Sequence, residues 1–543
     1  MLRKRQAELI QKIINLNEPL STSGQKTAVK WKVLIYDERG LCILSTLLKV
    51  ASLMDLGVTY HGLITSKRDP IPDISAVYLV EPTPENCTII SKDIQNSLYD
   101  SVYINFISKI SDESLRNLAE QVAQNSDGRC VRAVFDQYVD FSSPDPGLFT
   151  LFENRSCMKD IYSFKAQDSA EQAFQDIASG LVSVFLTEGQ IPHVLYQNGE
   201  ASASEYVYQL FSQKIKPLSG NFELWESRKN KSAKTPLLIL LDRTVDLASG
   251  LHHSRLYQSL ANDVFGITRN AIKVGKETFD LDTGIDQFWA ENRLSNTGEV
   301  MNTVSKNVKD FESKYNGIQD NINETISDLQ NLQHLRTSLA AHTKICQALV
   351  EAATQDRIID MSDVEESILS QNGVDVRKVT EILNSITKIE DKQRVAAIAY
   401  LYGAQLETLE PIVGELPFLD QLKQFRASNQ TNQSVLGKFL RKVASGSGEI
   451  EEKVPVVSRT RYLLEDSIDG YSLKNPVTGD VNEKQLQIGD VFVFVVGPGN
   501  YIEYAGLMAM ANKRKSEGLE ISYGCTCMQR PTEFLKDLIQ LSE

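Results

Sequence analysis

The chain has 543 residues, of which 42% are hydrophobic and 24% charged, and it carries a formal net charge of −14. That balance suits a globular protein of about three or four domains and excludes a wholly disordered chain. The net negative field disfavours nonspecific binding to nucleic acid or anionic lipid, and no run approaches the ~18 apolar residues that span a bilayer.

The N-terminal stretch has basic residues but no unbroken apolar core, so an amphipathic helix with Leu9, Ile10, Ile13 and Ile14 on one face is expected in place of a signal peptide. Residues 31–140 alternate between strand and helix patterns. Strands are expected at Lys32–Tyr36, Val58–Leu63, Ala76–Val80, Val102–Ile107 and Val131–Val134. Helices are expected at Leu41–Leu56 and Leu115–Ala123. Strands separated by helices imply a parallel sheet covered on both faces.

The α/β pattern continues through a helix at Ala170–Leu186 and strands at Pro192–Leu195 and Leu237–Leu241. Five consecutive apolar residues in the last of these read as a fully buried strand. Between about 255 and 445 strand signals almost vanish. Val304, Val308, Phe311, Tyr315, Ile318 and Ile322 recur at steps of four and three, which is helical spacing. Gly317 is expected to bend or break that helix. Further helices are expected at Asp363–Gln371, Val376–Ile389 and Lys392–Tyr402. Ser445–Glu452 reads as a flexible linker. After it come strands at Val491–Val496 and Glu520–Gly524, and helices at Tyr501–Lys513 and Pro531–Leu541. The order suggests that the last stretch completes a second α/β domain into which the helical block is inserted.

The motifs that could carry chemistry are incomplete. Gly497-Pro498-Gly499-Asn500 joins a strand to a helix, where phosphate loops sit. It lacks the third glycine of a dinucleotide fingerprint and the Lys-Ser/Thr of a P-loop, and Pro498 removes a donor. A tight structural turn is the expected role. Asp242 and Arg243 follow a strand, with Asp246 close behind; local capping and pairing is the plainer role, acid/base or metal chemistry the sharper one. His252 and His253 are adjacent, so on a helix they would point apart and share no metal. No nucleophile motif of the G-x-S-x-G kind is present. The seven cysteines are odd in number and scattered, which suggests a reducing compartment. Cys525 and Cys527 form a lone C-x-C with no further zinc ligands nearby, and free buried thiols are expected there.

Two apolar sets suit partner binding. Leu115, Leu118, Ala119 and Val122 lie on one side of a short helix, with Val131 and Val134 in the next strand. Core packing is the plain reading; a shallow groove for a short peptide is the other. The stripe from Val304 to Ile322 packs within the protein or receives a partner helix.

Several segments together resemble the SM (Sec/Munc) family of SNARE regulators. These are Val33–Asp37 with Gly57-Val58-Thr59; Ile64–Asp73, which carries SKRDPIPD; Val134–Tyr138; Pro236–Arg243 with Asp246-Leu247, Leu251-His252-His253 and Tyr257-Gln258; and Gly497–Tyr504, which ends in NYIEY. The SKRDPIPD and NYIEY segments resemble the Sly branch, except that Pro498 stands where glycine is usual.

The resemblance implies an α/β plus all-α chain folded as a three-domain arch. Its two α/β parallel-sheet domains would occupy 1–140 and 141–250 with 453–543, and the inserted helical domain 251–452. It implies a SNARE-binding chaperone that promotes SNARE assembly for vesicle docking and fusion in ER-to-Golgi and intra-Golgi transport. The N-terminal peptide of a Golgi Qa-SNARE of the syntaxin class would dock on Leu115, Leu118, Ala119, Val122, Val131 and Val134. An R-SNARE would meet a helical hairpin at Phe311, Tyr315, Ile318 and Ile322, part of which acts as a lid in the Sly branch. The assembled SNARE bundle and tethering factors are further implied partners. No cofactor, metal or nucleic acid is implied. The protein would be a cytoplasmic monomer, peripherally associated with Golgi and ER membranes through SNAREs. The alternatives are an SM protein of an endolysosomal or plasma-membrane step, and a nucleotide-dependent enzyme on α/β domains.

Overall fold

The computed structural model describes residues 2–19, 30–125, 128–153, 157–163, 167–199, 202–226, 228, 234–319, 326–370, 374–414, 416–423, 454–465, 470–481 and 487–542. The chain packs as two compact units. One holds Met1–Glu153, Glu171–Leu240 and Ser472–Phe492, and the other Asn154–Ala170, Leu241–Tyr471 and Val493–Glu543.

The first unit is built on a five-stranded parallel sheet of β1 (Lys32–Tyr36), β2 (Val58–Leu63), β3 (Ile71–Val80), β4 (Tyr99–Phe106) and β5 (Val131–Asp136), in the order β2-β1-β3-β4-β5. β5 is therefore an edge. Helices cover both faces, as a sheet of continuous apolar strands requires. On one face α1 (Leu2–Ile14), α2 (Glu38–Leu47) and α3 (Val50–Asp55) bury Ile10, Ile13, Ile43, Leu44 and Leu53 against Leu34, Tyr36, Val77 and Leu79. On the other, α4 (Pro84–Gln95) and α5 (Asp112–Asn125) bury Ile90, Ile94, Leu118 and Val122 against Val33, Ile35, Tyr78 and Ile104.

The stretch expected as one helix over Leu41–Leu56 is two, because Leu48 and Lys49 are extended between α2 and α3. Arg68 of the SKRDPIPD segment pairs with the buried Asp93 of α4 at 2.7 Å, and Tyr78 donates to the same carboxylate at 2.8 Å. That segment is thus pinned to the sheet domain by a shielded ion pair. The same unit holds the strand His193–Gln197 and the first part of the strand Thr235–Asp242, paired in parallel from His193 opposite Leu237 to Tyr196 opposite Leu240.

The second unit is mainly helical. Its core joins Trp289, Leu349, Met361, Ile398, Phe418 and Leu538. Two helices, Thr297–Gln319 and Ile326–Gln355, pack on each other. The first runs through Gly317 without ending there. A glycine costs a helix only about 1 kcal/mol, which its neighbours outweigh. The region also contains an antiparallel three-stranded sheet, Ile267–Thr268, Ala271–Val274 and Glu277–Asp280, that the apolar pattern did not signal. Ile272 is buried in the core and Ile267, Val274 and Phe279 pack against it, but strands of two to four residues are too short to show a period. The linker expected at Ser445–Glu452 lies outside the described residues.

The buried strand expected at Val491–Val496 runs from Ile488 to Gly499, and a second runs from Ile521 to Met528. Among the described residues Cys525 is a buried thiol, but Cys527 is disulfide-bonded, against the expectation. Pairing depends on which sulfurs the fold brings together, and spacing along the chain does not report that.

Candidate functional site

Helix α5 begins at a serine cap: the Ser114 amide donates to Ser111 Oγ at 3.0 Å, with Asp112 and Glu113 in the first turn. Both features satisfy or complement the free N–H groups of a helix start. Its apolar residues then divide by height above the sheet. Leu118 is 3% exposed and Val122 is 8% exposed, so both belong to the core beneath the helix. Leu115 is 39% exposed, and Ala119 is exposed.

Strand β5 supplies the facing wall. Val131 pairs with Val102, and Val134 with Ile104, whose side chains both lie in the core under α5. Strict alternation would turn residues 131 and 134 to opposite faces. The register shifts between Val102 and Tyr103, so that Val102 faces Val131 while Tyr103 faces Ala133. The extra residue, Arg132, is a bulge that brings Val131 and Val134 to the same face. Val131 is half-buried against the core, and Val134 is 39% exposed.

Leu115, Ala119 and Val134 are therefore exposed apolar residues of α5 and β5, whereas Leu118 and Val122 are buried and Val131 packs against the same core. Of the six residues expected to receive a peptide, three are exposed and three are buried or half-buried, a division that the sequence pattern does not report. The next residue, Phe135, is 41% exposed on the other face of the sheet.

The second apolar set divides differently. Val304 is buried, and Val308 and Phe311 pack against the core of their own unit. The side chains of Tyr315 and Ile318, and the whole of Ile322, lie outside the described residues.

The signature segments that tempted a catalytic reading form interlocking supports. Arg243 makes a bidentate ion pair with Glu503, Nη1 to Oε2 at 3.0 Å and Nη2 to Oε1, and Nη1 also donates to the Pro498 carbonyl at 2.9 Å. Both side chains are almost fully buried. Tyr523 adds its hydroxyl to the Glu503 carboxylate. Asn500 caps the helix Tyr501–Lys513 by accepting from Ile502 and Glu503 amides. A Cβ on Gly499 would lie 2.6 Å from the Cys525 side chain. The Gly497–Asn500 segment is thus a filled structural turn.

Asp246 accepts from the Ser249 amide at 3.0 Å, and burial ahead of the Glu503 charge pushes its carboxyl up to about 6. His252 and His253 follow a short helix in extended backbone, which overturns the geometry expected of helical neighbours. Both reach one carboxylate: His253 Nδ1 lies 2.7 Å from Glu365 Oε1, and His252 Nε2 lies 3.7 Å from Glu365 Oε2. Burial lowers the His252 imidazole to about 4. Burial and Arg394 also push His253 down, but Glu365 and Asp391 outweigh them and hold it above its ordinary value.

The signature segments are therefore spent on internal ion pairs and caps. The Sec1 family model matches residues 32–537, and the chain belongs to the Sec1 family. Its relatives are of the Sly1 kind. Sec1 family domain-containing protein 1 of Homo sapiens is 28% identical over 642 aligned residues, covering 100% of this chain and 98% of that protein. Protein SLY1 of Saccharomyces cerevisiae is 24% identical over 650 residues, covering 99% and 96%. Among solved structures, Sly1p in complex with an N-terminal peptide of Sed5p is 25% identical with a TM-score of 0.84, covering 100% of this chain and 98% of that one. The SM protein Vps45 in complex with the Qa-SNARE Tlg2 has the same fold, with a TM-score of 0.77 at 18% identity.

Proposed function

We propose that this chain is a Sly1-type SNARE regulator of ER–Golgi and intra-Golgi transport, and that the exposed patch of Leu115, Ala119 and Val134 receives the N-terminal peptide of a syntaxin-class Qa-SNARE. Leu118, Val122 and Val131 shape its floor. The observation that carries the reading is the coincidence of two facts. The chain matches, over its whole length, a protein solved with such a peptide, and its edge strand carries a bulge that builds an apolar patch beside α5.

Domain one would comprise 1–140 and domain two 141–250 with 453–543, with the helical domain 251–452 inserted. The helix containing Phe311, Tyr315 and Ile318, and the segment containing Ile322 beyond it, would present the R-SNARE. Bringing two disordered SNARE helices side by side removes part of the ordering entropy of assembly. No bond is made or broken, so the protein acts as a binding scaffold and not as an enzyme. It works as a monomer on the cytoplasmic side, held at Golgi and ER membranes through SNAREs and tethering factors. Among the described residues no helix is long and apolar enough to cross a membrane, which accords with peripheral attachment.

Fluorescence anisotropy with labelled N-terminal peptides of Sed5p, Tlg2 and a plasma-membrane syntaxin tests the reading. Micromolar or tighter binding of the Sed5p peptide, with weaker binding of the others, is expected. A preference for the Tlg2 peptide would move the chain to an endolysosomal step, and binding to none of the three would refute the peptide site.

A further inference from the structure

A cavity of about 490 Å³ lies in the first unit, on the face of the β-sheet opposite the α5 patch. Arg5, Lys12 and Arg228 bring positive charge to its wall, Glu8 and Asp136 negative charge, and Thr187 a hydroxyl. Its size is that of a small-molecule site.

Arg228 is the unusual member. Nη2 donates to the Gln137 carbonyl at 2.6 Å, while Nη1 is buried without a protein partner. No carboxylate pairs with this guanidinium among the described residues. Burial lowers it to about 10, with Tyr138 the one neighbour that opposes the shift, so it remains charged at neutral pH. Buried arginines are normally paired, because an uncompensated charge away from water is costly.

The second unusual member is Thr187. It is 4% exposed, and its Oγ1 also has no hydrogen-bond partner. A threonine near the end of a helix ordinarily spends its hydroxyl on a backbone carbonyl one turn back. The Lys12 ammonium likewise forms no ion pair among the described residues. By contrast Arg5 is committed to Glu188, with Nη1 donating to its backbone carbonyl at 3.0 Å and Nε 3.7 Å from its carboxylate.

We propose that this cavity is a binding site for a phosphate monoester, whose oxygens accept from Arg228 Nη1, Thr187 Oγ1 and the Lys12 ammonium. A phosphate has acceptors enough for three separate donors. Glu8 and Asp136 on the same wall disfavour a polyanion. The ester comes either from a soluble metabolite or from a phosphoinositide headgroup. The site is independent of SNARE-peptide binding, since it uses the other face of the sheet.

The test uses the full chain and inorganic phosphate as probe, followed by melting temperature and by calorimetric titration. Phosphate is expected to stabilise wild type saturably, while chloride at equal ionic strength does not. Arg228→Met weakens the phosphate affinity by about tenfold or more, as loss of a charge-assisted hydrogen bond predicts. Thr187→Val weakens it by about fivefold on the same scale. Flotation of wild type but not of Arg228→Met with phosphatidylcholine vesicles carrying a phosphatidylinositol monophosphate assigns the ester to lipid. A phosphate response without flotation assigns it to a soluble ester. Equal phosphate affinity in wild type, Arg228→Met and Thr187→Val, or no saturable response in wild type, overturns the proposal.

Discussion

Exposure, not apolarity, separates the proposed recognition residues of α5 and β5 from those that hold the domain together. The double substitution Leu115→Ser with Val134→Ser exploits this. Each side chain is 39% exposed before a partner arrives. Full burial of a Leu or Val side chain contributes about 1.5–3 kcal/mol, so covering the remaining fraction contributes about 0.6–1.2 kcal/mol each. Losing both should weaken a docked peptide by about 1.2–2.4 kcal/mol, or roughly tenfold to fiftyfold. The melting temperature should fall as well, because more than half of each side chain is already buried in the free protein, so binding is compared well below the transition.

Leu118→Ala is the buried counterpart. At 3% exposure it opens a core cavity costing about 2–5 kcal/mol and lowers the melting temperature before it reports on binding. The assay is anisotropy of a labelled Sed5p N-terminal peptide, with thermal unfolding measured on the same samples. If the double variant binds with undiminished affinity, the patch is not the peptide site.

Other outcomes follow from the second unit. Arg243→Met leaves the Glu503 carboxylate buried without its cation and should cost about 3–5 kcal/mol in urea unfolding. Arg243→Met with Glu503→Leu should recover much of that loss, and a single-variant cost below about 1 kcal/mol would contradict a buried pair. Gly499→Ala should lose about 1–3 kcal/mol from overpacking against Cys525; unchanged stability would mean that the turn has room. His252 gives a pH dependence. Its folded value, about 4, lies below the ordinary 6.5, so the unfolded state binds the proton more readily. Its share of stability is present above pH 6.5 and is lost as pH falls toward 4. His252→Asn should flatten the decline in unfolding free energy over that window, and an identical pH profile would refute the assignment.

Much of the fold was legible along the chain. The apolar runs at Leu237–Leu241 and Val491–Val496 announce fully buried strands. The period of the Val304 stripe announces a long helix, and the serine and acidic residues before Leu115 announce the start of α5. These signals are local: a strand buried on both faces, a helix with one apolar side, and a capped terminus each leave a pattern within ten or so residues. The antiparallel strands between Ile267 and Asp280 left no such pattern, since none is longer than four residues.

What the sequence by itself determined is therefore most of the longer strands and helices, the apolar side of α5, and the incompleteness of every catalytic motif. Tertiary structure alone decided which of those apolar residues stay exposed. One inserted residue, Arg132, turns Val131 and Val134 to the same face, and that depends on how β5 meets β4. It also decided that Arg243 meets Glu503 across 260 positions of chain, that two adjacent histidines share Glu365, and that Arg228 and Thr187 border one cavity. Burial and long-range pairing are properties of the packed chain, and no window of sequence contains both partners.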